Sequence, residues 1–139
     1  MDAGAAVETP GVDLRIAGPA QVYARQLDTE GGGTRIENDG SPLAILGLKT
    51  EGDCTVLDNR NGARSTIYGG LLYIVRDADP AVPAFVNSNA RLLASFLEES
   101  FRSASRYTVY LRDQGRDVPA ASFPTRGYGR VVPWLVAGH

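Results

Sequence analysis

The sequence holds one cysteine, Cys54, one histidine, His139, and one lysine, Lys49. A lone cysteine excludes an intrachain disulfide. One thiol and one imidazole cannot supply the three or four good ligands of a zinc site, so no metal centre of that kind is expected. A Ser–His or Cys–His catalytic pair would have to recruit His139 and is not expected either. Any chemistry falls to Asp, Glu, Tyr, Arg or Lys49. No run of about 18 apolar residues occurs, so no membrane partner is expected. The formal net charge is −2, and without a basic surplus nucleic acid is not an expected partner. The opening MDAGAAVETPG lacks a charged segment followed by an apolar one, so no signal peptide is read there.

What is present fits one soluble domain. The chain has 139 residues, 43% hydrophobic and 22% charged. Glycine, at 16 residues, is well above the average share and argues for many corners rather than a helical bundle. The basic residues are 13 Arg and one Lys, a bias that base composition alone can impose.

The informative feature is an internal repeat. Residues 22–38 (VYARQLDTEGGGTRIEN) align without a gap on 43–59 (LAILGLKTEGDCTVLDN) at an offset of 21. Identities fall at Leu27/Leu48, Thr29/Thr50, Glu30/Glu51, Gly31/Gly52, Thr34/Thr55 and Asn38/Asn59. A degenerate third copy places Gly70-Leu71-Leu72-Tyr73 on Gly47-Leu48-Lys49-Thr50. It is interrupted by RDADPAVP (76–83) and resumes with Ala84-Phe85-Val86-Asn87 on Val56-Leu57-Asp58-Asn59. A fourth copy starts at Ser95-Phe96-Leu97-Glu98-Glu99, and a last strand is read over 106–112.

Within each copy, apolar or small residues alternate with charged ones, the period of a strand. Gly31-Gly32-Gly33, Gly52-Asp53 and Asn61-Gly62 mark corners, where positive φ is needed. Short strands in coils of 21–23 residues predict an all-β fold, a right-handed parallel β-helix (β-solenoid) of about four to five coils. Val22, Ala24, Leu27, Thr29 and Ile36 should point inward, with Leu43, Ile45, Leu48, Thr50 and Leu57 stacked on them. Asn38, Asn59 and Asn87 should share one corner and form a structural ladder. The segment RLLASFLEESF (91–101) could be an amphipathic helix, but its register favours a strand. Residues 1–14 read as a flexible N-terminal segment and 15–114 as the β-helix. Residues 115–139 read as a C-terminal cap or partner-binding arm, because a solenoid must close its open end.

The segments VYARQLDTEG, SPLAILGLKTEG and GARSTIYGGLLYIVRDADPAVPAFVN resemble the later coils of pectate-lyase-like right-handed parallel β-helix proteins, often grouped with family-55 glycoside hydrolases. The likeness spans about residues 15–115 and concerns the C-terminal coils. The segment resembling FGAxGDGxxDDTxAIQ with which such relatives begin has no counterpart, and no catalytic motif of the family matches. The resemblance implies an extracellular or cell-surface location and polysaccharide as a candidate contact.

Glu30 and Glu51 should occupy one outward position on adjacent coils, with Glu99 two coils on and Ile74 between. Two carboxylates about 5 Å apart match a retaining glycosidase pair. They could instead hold Ca²⁺, or form a solvated charged face eased by Lys49, Arg25 and Arg76. Asp77 and Asp79, with Tyr73 and Arg76, mark the insertion as a candidate ligand-binding loop. Tyr68, Tyr73, Tyr107, Tyr110, Tyr128 and Trp134 are candidates for stacking on sugar rings. Gly31-Gly32-Gly33 is followed by no Gly-Lys-Ser and is read as a corner, not a phosphate loop. The expected function is a non-catalytic structural or adhesive module that forms a homo-oligomer and contacts polysaccharide. The alternative is a glycoside hydrolase or polysaccharide lyase using acidic residues on the coil face.

Overall fold

A computed structural model describes residues 11–101, 106–127 and 129–138. Strand periodicity holds throughout the repeats. The strands are β1 (Leu14–Ala17), β2 (Val22–Glu30), β3 (Thr34–Asp39), β4 (Pro42–Glu51), β5 (Thr55–Arg60) and β6 (Arg64–Ile74). They continue with β7 (Phe85–Ser88), β8 (Arg91–Ser100), β9 (Val109–Asp113), β10 (Arg116–Pro119), β11 (Thr125–Arg126) and β12 (Gly129–Ala137). They form two six-stranded sheets, ordered β1-β3-β5-β7-β9-β10 and β11-β12-β8-β6-β4-β2. Odd strands stack on odd and even on even, in parallel, from β1 to β9. The chain therefore winds as a β-solenoid of about four turns.

Each long even strand turns a corner. Gln26 (φ 50°), Gly47 (φ 81°) and Gly69 (φ 73°) sit at that corner in the left-handed region. The extra residue resets the alternation, so β2 points Val22 and Ala24 inward before the corner and Leu27 and Thr29 after it. A coil thus presents three outer faces. The first lies before the corner, the second after it, and the third on the short strands. On β8 the corner is one residue shorter. Tyr68 and Gly69 oppose Ser95 alone, and the Ser95 hydroxyl accepts the Gly69 N–H at 3.1 Å.

The register pairs Leu27 with Leu48, Ile36 with Leu57, and Asn38 with Asn59 with Asn87. The third coil differs by one residue from the expected alignment. Gly70 pairs with Leu48, and Tyr73, not Ile74, stands between Glu51 and Glu99. Two adjacent glycines left the corner ambiguous, and burial decides it: with Gly69 as the corner, Leu72 and Ile74 are fully buried and Tyr73 faces out. Gly70 then points inward, where an added Cβ would stand 3.1 Å from Phe96 Cβ. Residues 91–100 are strand, and the last coil strand begins at Val109 rather than 106.

The interior is a set of columns such as Ile36–Leu57–Phe85–Leu111. Val22, Ala24 and Leu27 point inward yet stay half-buried, because among the described residues no strand covers β2 from above. The opposite end is closed. Strand β10 folds back antiparallel on β9, and β12 runs antiparallel along β8 from Glu99 to Leu92. The 3-10 turn Ala120–Ser122 brings Phe123 to 5.6 Å from Tyr110 in an aromatic cluster with Phe96 and Phe85. Gly129 enters β12 so close that a Cβ would lie 2.1 Å from the Glu98 carbonyl oxygen, so only glycine fits there.

Candidate binding face

The first face is built from the outward residues of five strands. Tyr23, Ala44, Thr66, Leu93 and Val136 form one column across β2, β4, β6, β8 and β12. Arg25, Leu46 and Tyr68 form a second, toward the corner, and Trp134 lies at the bulge of β12 at that same end. Pro42, Arg64 and Arg91 form a third, at the strand starts. Tyr23, Tyr68 and Trp134 are exposed to 72%, 46% and 56%. Leu46 and Val136 are exposed beside them. Large aromatics left in water on one flat surface are the mark of a contact surface rather than a core.

The charge on this face is one-sided. The five segments that build it, 18–25, 40–46, 61–68, 89–95 and 133–138, contain no Asp or Glu at all. They contain Arg25, Arg64 and Arg91. A groove of about 370 Å³ runs along the adjoining corner, floored by Gly47 and Gly69 and walled by Gln26, Asp28 and Lys49.

The second face carries the predicted carboxylates. Glu30, Glu51, Tyr73 and Glu99 stack in one outward column. Lys49 stands among the acids of the first two coils. Its Nζ is 3.0 Å from Glu51, and 3.7 Å from both Glu30 and Asp28. The hydrogen bond that Lys49 donates to Glu51, with help from the charges of the acids around it, holds the Lys49 pKa above its ordinary value. An ammonium group therefore lies where a sugar bond would have to enter a Glu30/Glu51 pair. Among the described residues, no group of three or more metal-ligating side chains is placed to hold an ion.

The loop candidates are dispersed. Tyr73 belongs to the second face and meets Phe101 edge-on at 6.3 Å. Arg76 and Asp77 are exposed in the loop that follows β6. Asp79 closes a turn, accepting the Ala81 N–H on its carboxylate at 2.8 Å and the Val82 N–H on its carbonyl at 3.0 Å. Tyr107 and Tyr110 are interior, so sugar stacking by either is ruled out in this fold. Tyr128 and His139 lie outside the described residues.

The corner asparagines are buried and joined. Asn59 Nδ2 donates to Asn87 Oδ1 at 2.9 Å, and Asn87 Nδ2 donates to Asp113 at 2.9 Å. Between Asn38 and Asn59 the link runs through Ser65: Asn38 Nδ2 donates to its hydroxyl at 2.8 Å, and the hydroxyl donates to Asn59 Oδ1 at 2.7 Å. The column holds corners shut; none of its atoms is open to a ligand.

Glu98 went unremarked as a site in the sequence, although it continues the inward column Thr29–Thr50–Leu72. It is fully buried. Its carboxylate accepts the Tyr107 N–H at 2.8 Å, the Tyr110 hydroxyl at 2.7 Å and Arg130 Nη1 at 3.2 Å. Burial, then the Glu98 charge, pushes the Tyr110 pKa far up; burial does the same for Tyr107. Burial also raises the Cys54 thiol, which makes it inert. Arg130 belongs to β12, so this cluster ties the closing strand to the last coil. Arg25, Arg64, Arg91 and Tyr23 were likewise missed as a set. Writing the outward residues at the same coil offset would have assembled them.

No protein-family model, no curated protein and no solved structure matches this chain.

Proposed function

We propose that this chain is a non-catalytic β-solenoid module that contacts polysaccharide through its first face. The reading rests on one observation: Tyr23, Tyr68 and Trp134 are held in water on a flat surface whose segments contain no carboxylate. Sugar rings present C–H faces that pack on aromatic rings, and a rigid sheet presents those rings without an ordering cost. We also read the coil sequences as related to the C-terminal coils of pectate-lyase-like β-helices of the family-55 glycoside hydrolase kind. That kinship favours a glycan contact outside the cell or at its surface.

Self-association belongs to a different surface. On the second face Leu71, Leu97 and Val131 stack in one column, and Leu97 and Val131 are exposed. A twofold contact through the first face would instead bring together two surfaces that carry Arg25, Arg64 and Arg91 and no carboxylate to pair with them. The enzymatic alternative, a glycoside hydrolase or polysaccharide lyase, finds less support because Lys49 stands between Glu30 and Glu51.

Affinity electrophoresis against a panel of neutral and charged polysaccharides tests the reading. Retardation by at least one polymer is expected, and it should be abolished in the Tyr68→Ala/Trp134→Ala double variant. No new reducing ends should appear on incubation. Absence of retardation by every polymer would remove the glycan assignment. Sedimentation that finds only monomer at high concentration would remove the self-association.

A further inference from the structure

We infer that Arg64 and Arg91 form an oxyanion subsite on the first face, so that the polysaccharide it takes carries carboxylate or sulfate groups. This rests on the reading of that face as a glycan surface. Arg64 and Arg91 are direct neighbours on adjacent parallel strands. Their backbones are therefore about 4.8 Å apart, and their side chains leave the sheet on the same side. Both are exposed, and neither guanidinium has an ion pair or hydrogen bond among the described residues. Several arginines elsewhere are paired instead, whereas Arg116 and Arg126 are exposed without a carboxylate among the described residues and so match Arg64 and Arg91 in that respect. Arg15, Arg35, Arg60 and Arg112 each hold a carboxylate within 3.6 Å, and Arg130 holds Glu98 at 3.2 Å.

Two uncompensated cations in adjacent rungs repel each other unless an anion lies between them. Among the described residues no carboxylate supplies one. Of the third-face carboxylates near this corner, Asp39 is engaged by Arg60 and Asn61, and Asp113 by Asn87. The pair also forms a ridge between two shallow depressions. One, of about 260 Å³, is lined by Gly62, Asn89 and Ala90 as well as the arginines. The other, of about 250 Å³, is lined by Thr66, Leu93, Val136 and Gly138. A planar or tetrahedral oxyanion on the ridge would accept from both forks. The chain bearing it would lie over Thr66 and Leu93 toward Tyr68, about 13 Å along the strand. Three arginines on the face fall short of the continuous basic track that follows a nucleic-acid backbone.

The test uses the whole chain in low-salt buffer against alginate, dextran sulfate, neutral dextran and a single-stranded oligonucleotide. The proteins are the wild type, Arg64→Gln/Arg91→Gln, and Arg116→Gln/Arg126→Gln as a charge-matched control remote from the face. A thermal melt confirms that each folds. Wild type should bind alginate or dextran sulfate at least ten-fold tighter than dextran. The Arg64/Arg91 variant should lose about ten-fold on that polymer, and the control less than two-fold. The polymer most affected identifies carboxylate or sulfate. Equal losses in variant and control would overturn the subsite in favour of diffuse charge. Neutral dextran bound as well as the charged glycans, in a manner dependent on Tyr68, would overturn the subsite and leave the glycan surface standing. Tightest binding to the oligonucleotide through the same two arginines would overturn the glycan class itself.

Discussion

Replacing Asn59 by Ala tests the corner column most directly. Asn59 is fully buried and makes three hydrogen bonds: to Asn87 Oδ1 at 2.9 Å, to the Arg91 carbonyl at 2.9 Å, and from the Ser65 hydroxyl at 2.7 Å. Each such bond contributes about 1 kcal/mol net, and each buried partner left unpaired costs about 1–3 kcal/mol. Ser65 keeps its bond from Asn38, and Asn87 keeps its own donations to Ala90 and Asp113. The penalties therefore overlap rather than add, and the expected loss is about 3–5 kcal/mol. For a chain of this size that lowers Tm by roughly 10–15 °C. Asp58, one residue earlier, faces outward, so Asp58→Ala should stay within about 0.5 kcal/mol. Urea unfolding followed by far-UV circular dichroism measures both. A loss below about 1 kcal/mol for Asn59→Ala, or equal losses in the two variants, would refute the view that the column locks successive coils.

Glu98→Ala leaves the Arg130 guanidinium, the Tyr107 amide and the Tyr110 hydroxyl without their shared acceptor, and should cost about 3–5 kcal/mol. Hydrogen exchange should quicken first in β12, and uniform exchange across all strands would argue against the tie. In the β9–β10 hairpin, the hydrogen bond from Arg112 holds the Asp117 carboxyl below its ordinary value of 3.8. A depressed acid stabilises the fold above its unfolded pKa, and that contribution is lost as pH falls through the folded value. Carbon-detected NMR titration should place Asp117 below 3.8, and Arg112→Gln should return it to the ordinary range. An unchanged titration in the variant would remove Arg112 as the cause.

The coil register was legible wherever a repeat supplied two matched alternations. Leu27 on Leu48 and Asn38 on Asn59 follow from a fixed offset, since a slip of one residue turns every inward side chain outward. The same logic failed at Gly69-Gly70, where two glycines fit the corner equally and only the burial of Leu72 and Ile74 chooses between them. The closure by β12 left no trace in the offset because it is antiparallel and belongs to no coil. Lys49 among the acids was readable only in part: the sequence placed it near Glu30 and Glu51, but the contact depends on side-chain reach. The candidate face was hidden for a different reason. Inward positions announce themselves by hydrophobicity, whereas outward positions of a solenoid carry no pattern until they are read down the columns.

Net charge misleads for the same reason. A formal −2 averages over three faces that the winding keeps apart. Before the corner, β2, β6 and β8 contribute Arg25, Arg64 and Arg91 and no long strand contributes an acid, whereas after it β2, β4 and β8 contribute Asp28, Glu30, Glu51, Glu98 and Glu99. Stacking sums that bias over the coils, so a few charges per face leave the first face without a carboxylate. Screening then matters: at about 0.1 M salt, charges separated by more than about 10 Å hardly feel one another. From Arg91 to Glu99, the second-face acid of β8, is eight residues around the corner, a path of about 26 Å that stays beyond that range even when bent. The acids of the second face therefore cannot neutralise Arg64 and Arg91 at physiological ionic strength, and the field that a ligand meets is set by its own face and not by the sum over the molecule.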